Sequence, residues 1–212
     1  MDIVNNIEEW EFLTNISIHG WEKTLKAIKQ INFDLVNPKL SNRDKMVRDF
    51  TEEDYACITF SVLDNFIEQQ IAVSLTLSLY GMLEDWILNL TGVIETKGKK
   101  EYKQYCREKN KPNNINTMKL YIEEYSNIKF NTKIFSEILA LKTIRNTFIH
   151  NGNELDKYYY KYLSQIKKFS IIDDSLEVVI YLTSDLTYID KILALIRLFF
   201  DDIMKQGLVI KN

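Results

Sequence analysis

The sequence predicts a mainly α protein: an antiparallel helical bundle with a small β-hairpin inserted near residues 171–182. Three observations carry that expectation. The 212 residues include only six Gly and two Pro, too little turn chemistry for a many-stranded sandwich or barrel. With 46% apolar and 27% charged residues, the chain has enough apolar material for a core and too much for a disordered polymer. Finally, its longer segments are bounded by helix-capping residues, and a β-branched stretch breaks the helical pattern near 171–182.

In order along the chain, a first helix or helix pair is expected over residues 3–30, with Gly20 as a break. Pro38 and the polar stretch 39–48 read as a connection. Thr51, Glu52, Glu53 and Asp54 resemble a capping box that opens the longest helical pattern, 54–90. Residues 92–112 form a basic, irregular or weakly helical segment. Asn113 or Asn114 caps a helix to about Tyr125, and another runs over 131–151, stopped by Gly152, a natural residue just past a helix end. Asn153 is positioned to cap a helix over 154–168. The β-branched content of 171–182, with Asp173, Asp174 and Ser175 at its centre, marks the hairpin. Ser184 caps a last helix to about Lys205. The organisation is an N-terminal helical segment, 1–50, and a helical domain, 51–212, packed as one unit.

Several function classes are excluded at this level. A net charge of −3 confines any nucleic-acid contact to a local patch. Cys57 and Cys106 share no CxxC spacing, and with His19 and His150 as the only histidines there is no His-rich zinc site. No metal is expected. The start carries Asp2, Glu8, Glu9 and Glu11, unlike a secretory signal. The longest uncharged apolar run, 71–83, is short of the roughly 20 residues that cross a bilayer. A cytoplasmic protein without a membrane partner is expected. The glycines at 92 and 98 are one residue too far apart for a P-loop, and Lys100 stands where Ser or Thr would hold magnesium. Adjacent acids (Glu52 and Glu53, Glu123 and Glu124, Asp201 and Asp202) point about 100° apart on a helix and read as solvated surface. His19, between Ile18 and Gly20, reads as structural.

The segment 141–152 differs. With Ile134 at zero and about 100° per residue, Ile134, Ile138, Leu141, Phe148 and Ile149 form an apolar stripe. Arg145 falls in its middle, where an unpaired guanidinium is costly and needs a partner, an interface or a wet cleft. Asn146 and His150 are four apart and share a second face. His150 lies in the last turn, where the helix dipole favours imidazolium, which suits acid–base work.

An Arg followed at once by a polar residue and, after four residues in all, by His resembles the signature of the HEPN family, here Arg145, Asn146 and His150. An upstream long helix carrying Tyr80, Glu84, Trp86 and Ile87 is similar to the preceding helix of several HEPN groups. The family is α-helical and usually dimeric. Many members are metal-independent ribonucleases of toxin–antitoxin, abortive-infection and CRISPR-associated systems, and others are non-catalytic binding modules. The resemblance implies Arg145 and His150 at the catalytic positions, Asn146 in support, no cofactor, an RNA substrate, a homodimer, and a cognate antitoxin or regulatory protein as a further partner. The Tyr that follows two residues after the His in nucleotidyl-regulated HEPN toxins is replaced by Gly152, so regulation by that modification is not expected.

Internal RNA cleavage needs a base for the 2′-hydroxyl, an acid for the departing 5′-oxygen and positive charge on the phosphorane. One chain has a single well-placed His, so a two-fold dimer that offers two of each group across one cleft is part of the expected mechanism. Glu84 is the expected ion-pair partner of Arg145 in a purely structural reading. Two segments offer basic charge with aromatic rings, the combination used on single-stranded RNA. The first, 97–111, has seven basic and two acidic residues, including Lys99, Lys100, Lys103 and Arg107, with Tyr102 and Tyr105 interleaved. The second, 157–168, carries Tyr158, Tyr159, Tyr160 and Tyr162 among lysines. Ser74, Ser78 and Gly81 read as a close-packing strip, and the apolar run 192–200 as core or dimer surface. The leading expectation is a dimeric HEPN-type endoribonuclease acting as a toxin or antiviral effector. The alternative is a non-catalytic HEPN scaffold that binds a protein, nucleotide or RNA, with a helical adaptor of immunity or antitoxin type as a third reading.

Overall fold

The structure, a computed structural model, describes residues 6–49, 53–152, 154–176, 179–183 and 186–211, with side chains outside 31–68, 171–181 and 183. Its elements are α1 (Ile7–Asp49), α2 (Glu53–Thr96), α3 (Tyr102–Glu108), α4 (Ile115–Tyr125), α5 (Thr132–His150), a short 3-10 helix (Lys157–Tyr162), α6 (Leu163–Phe169), β1 (Ile171–Leu176), β2 (Val179–Thr183) and α7 (Leu186–Gln206). The protein is mainly α. The helix α2 lies at the centre and packs against α1, α3, α4, α5 and α7. Leu79, Tyr80, Leu83, Ile87, Leu90 and Ile94 of α2 are all buried, alongside Trp10, Ile18 and Leu25 of α1 in the same core.

A helix apolar around much of its circumference belongs inside a bundle, and α2 has that character. By length and composition its stretch Gln69–Thr96 could also cross a bilayer; 44% of its most apolar 18-residue window is buried inside the protein. The other pattern is seen in α7, where Ile189, Ile192, Leu193, Ile196, Phe199, Phe200 and Ile203 follow the three-and-four spacing of a one-sided helix and are buried.

The caps explain most boundaries. The Asn114 side chain accepts from the Asn116 and Thr117 backbone N–H groups, and Asn131 does the same for Lys133 and Ile134. Gly98 and Gly152 follow α2 and α5 at φ +81° and +56°, the left-handed conformation that glycine takes without strain. After α7 the chain turns back beside the end of α4, where the Val209 N–H donates to Asn127 Oδ1 at 2.6 Å and the Lys211 N–H to the Tyr125 carbonyl at 3.0 Å.

The structure departs from the expected boundaries at five places. Gly20 lies inside α1, its cost of about 1 kcal/mol offset by the packing of Ile18 and Leu25 on either side. The connection expected at Pro38 and 39–48 is helical, because a proline removes one bond of the ladder while its neighbours keep theirs. The helix α2 runs on past Leu90 and includes Gly92, since Val93 and Ile94 are core residues. The helical segment expected from Glu154 begins instead at Lys157, where Asp156 caps the Tyr158 N–H. In the hairpin, Asp173, Asp174 and Ser175 are not the turn. They lie in β1, where the antiparallel register shifts between Asp173 and Leu176, so a bulge absorbs the polar residues. Thr51, Glu52, Asn153 and Ser184, expected as caps, lie outside the described residues.

Candidate functional site

On α5, the buried residues of the C-terminal half are Ala140, Leu141, Thr143, Ile144 and Thr147. Ile138 and Leu141 of the expected apolar stripe are buried and Ile134 and Phe148 pack against the core, so the stripe reading is corrected only in part. The helix is covered by α2, α6, α7 and the 3-10 helix, so its inward sector near Arg145 is the one that carries the two threonines. Thr143 Oγ1 donates to the Leu139 carbonyl (3.1 Å) and Thr147 Oγ1 to the Thr143 carbonyl (2.9 Å), which satisfies both hydroxyls inside the core. Ile149, expected in the stripe, is exposed, and Arg145 is half-buried rather than central.

The guanidinium is therefore at the margin of the core. Its Nη1 donates to Asn146 Oδ1 at 2.9 Å, and its Cζ lies 5.9 Å from the centroid of the Tyr80 ring on α2. Tyr80 Oη in turn donates to Glu84 Oε1 at 3.0 Å, one turn further along α2. Glu84 is not within 4.0 Å of Arg145, so the expected ion pair is absent among the described residues, and Tyr80 stands as the intermediary. Burial pushes the Tyr80 phenol far above its ordinary range. The Glu84 charge and hydrogen bond push it the same way, and only the Arg145 charge opposes them. The phenol is thus a fixed donor at any ordinary pH.

Arg145, Asn146, Tyr80 and Glu84 form one connected set. His150 does not join it. It is exposed at the last position of α5, and its imidazole makes no hydrogen bond or ion pair among the described residues. Within one chain, the Arg145 guanidinium and the His150 imidazole are five residues apart on one helix and make no contact with each other. The Tyr80 and Glu84 spacing of four on one helix face was the signal for this set. It was legible as a pair, and what it faced was not.

The basic segment 97–111 folds differently from a stacking platform. Tyr102 and Tyr105 are 3% and 4% exposed, which overturns the expectation of free rings. They pack edge-on against Tyr121, their centroids 5.4 and 5.2 Å from its own. Tyr105 Oη donates to Glu124 Oε2 at 3.0 Å, and burial with that bond pushes its phenol up to about 12. These rings attach α3 to α4. Lys100 pairs with Glu108, and their hydrogen bond holds the ammonium above its ordinary value and the carboxyl below. Lys103 and Arg107 are exposed, and Lys99 is half-buried. In the second basic segment a ring stays accessible: Tyr158 is 72% exposed, with the Lys161 ammonium 5.1 Å from its centroid and 5.0 Å from that of Tyr162.

Clefts open elsewhere among the described residues. One of about 490 Å³ between α1 and α2 is lined by Trp21, Met82, Asp85 and Trp86, and one of about 440 Å³ between α1 and α7 by Glu22, Lys26, Lys29 and Asp190. Neither includes Arg145, Asn146 or His150, so the candidate site is a surface beside α2 and not one of these clefts. Among the described residues no three His, Cys, Asp or Glu side chains converge as a metal site would require. Comparison of the chain with family models, with curated proteins and with solved structures finds no match.

Proposed function

We propose that the protein is a HEPN-type, metal-independent endoribonuclease that acts as a homodimer, in the manner of a toxin or antiviral effector. The observation that carries this reading is the state of Arg145: half-buried, bonded to Asn146, resting on the Tyr80 ring and free of any carboxylate among the described residues. A guanidinium has five donors in a planar fork, and one of them is used here. The remainder suit a phosphate. His150, at the end of the same helix, supplies the base for the 2′-hydroxyl or the acid for the leaving 5′-oxygen. The two-fold partner supplies the other group, with Arg145 clamping the phosphorane.

The lack of contact between His150 and the Arg145–Asn146 pair favours one alternative, a non-catalytic HEPN module that binds RNA or another phosphorylated ligand. One experiment separates the two: incubation of the purified protein and its His150→Ala variant with RNA in EDTA. Cleavage that leaves 2′,3′-cyclic phosphate or 3′-phosphate ends, and that falls by at least about 100-fold in the variant, is the expected result. RNA binding without cleavage by a folded dimer would replace the nuclease with the binding module.

A further inference from the structure

We propose that Tyr80 is a positioning residue that insulates Arg145 from Glu84 and so keeps the guanidinium available to a phosphate. The inference rests on the reading of Arg145 as a phosphate clamp and extends it to a residue on another helix. Glu84 belongs to this connected set through Tyr80, and a half-buried Arg in one cluster with a half-buried Glu ordinarily closes into an ion pair, since each charge is costly alone. Here it does not. Tyr80 Oη occupies Glu84 Oε1 at 3.0 Å, and the ring of the same residue lies under the guanidinium at 5.9 Å. One side chain thus bonds the carboxylate through its hydroxyl and supports the cation with its ring, and it is the hydroxyl's bond that holds Glu84 away from Arg145. Tyr80 is buried, at 1% exposure. An Arg closed onto Glu84 would meet a phosphate only after breaking a charge-assisted bond. An Arg resting on a ring face and held by one neutral amide oxygen meets it directly.

The role differs from ordinary core packing because it depends on Glu84. Removal of the hydroxyl in Tyr80→Phe leaves the ring and the packing and releases the carboxylate toward Arg145. The test uses the full-length protein with Tyr80→Phe, Glu84→Gln and Arg145→Gln, alone and combined, and two readouts. The first is affinity for a non-cleavable 2′-O-methyl oligoribonucleotide over a range of salt. Tyr80→Phe is expected to bind about tenfold more weakly, with the slope of log Kd against log salt reduced by about one, as for the loss of one phosphate contact. Addition of Glu84→Gln to Tyr80→Phe is expected to restore both. A loss that Glu84→Gln does not rescue, or no loss at all, overturns the proposal.

The second readout needs no RNA. In urea unfolding, the midpoint shifts of Glu84→Gln and Arg145→Gln are expected to add in the wild-type background and to fall short of additivity in the Tyr80→Phe background, where the two charges pair. Equal coupling in both backgrounds overturns the insulation. If the wild type and Arg145→Gln bind the oligonucleotide equally, the clamp reading fails by itself, and the urea measurement still decides the role of Tyr80.

Discussion

Trp10 joins the N-terminal helix to the part of α2 that carries the candidate site, and its replacement by Leu tests that joint. The indole is fully buried, donates its Nε1–H to the Trp86 carbonyl at 2.8 Å, and meets Phe200 edge-on at 5.8 Å. Trp86 is two residues beyond Glu84, so this bond anchors α2 beside the Tyr80–Glu84 pair. In Trp10→Leu the lost hydrogen bond costs about 1 kcal/mol and the lost aromatic contact about 0.5–1 kcal/mol. The smaller side chain adds about 1–1.5 kcal/mol in transfer and cavity cost. The sum is about 3 kcal/mol. With a urea dependence of about 3 kcal/mol per molar, the unfolding midpoint falls by about 1 M. The assay is urea unfolding followed by circular dichroism and by the fluorescence of the remaining Trp21 and Trp86. A single transition with an unchanged slope is expected, since α1 shares the core of α2 and α7. Helical signal lost in a separate early phase, with the main transition at the wild-type midpoint, would refute the reasoning that α1 folds as part of that core.

Three further outcomes follow from the same geometry. Arg145→Lys keeps the charge but loses the planar fork, and RNA cleavage is expected to fall at least about tenfold with little change in melting temperature; equal activity would show that only charge is needed there. Asn131→Ala removes the acceptor for the Lys133 and Ile134 N–H groups at 3.0 and 3.3 Å and is expected to destabilise the protein by about 1 kcal/mol in urea unfolding; no change would mean that solvent caps α5 as well. Glu123 gives a pH dependence. Partial burial alone would raise its carboxyl, but Lys119 at 2.8 Å and the Phe130 N–H at 3.0 Å outweigh it and hold it below the ordinary 4.5. Because the folded value is the lower one, its stabilisation is full above 4.5 and is lost as pH falls below. The stability gap between the wild type and Glu123→Gln is therefore expected to shrink below pH 4.5, and a gap independent of pH would refute the assignment.

Local chemistry made much of the chain legible before any tertiary contact was known. Asn114, Asn131 and Gly152 mark helix ends because a side-chain acceptor or a left-handed glycine acts within a few residues of itself. The same locality made the hairpin readable and placed Arg145, Asn146 and His150 on the last turns of one helix. What failed depended on neighbours. Of the stripe of Ile134, Ile138, Leu141, Phe148 and Ile149 only Ile149 is exposed, yet a helix covered by several others buries whichever sector they meet, and Thr143 and Thr147 belong there because each returns its hydroxyl to its own backbone. The rings of Tyr102 and Tyr105 looked available in a basic segment, and the approach of Tyr121 from α4 buried them.

The amino-acid sequence by itself determined the helical class, the ends of α4 and α5 and the identity of the charged groups on α5, all set by interactions within about one helical turn. Only the tertiary structure decided what Arg145 meets. That Tyr80 meets both Arg145 and Glu84 is a consequence of how α2 and α5 pack, and two residues 65 positions apart in sequence acquire a distance only when the intervening chain has folded.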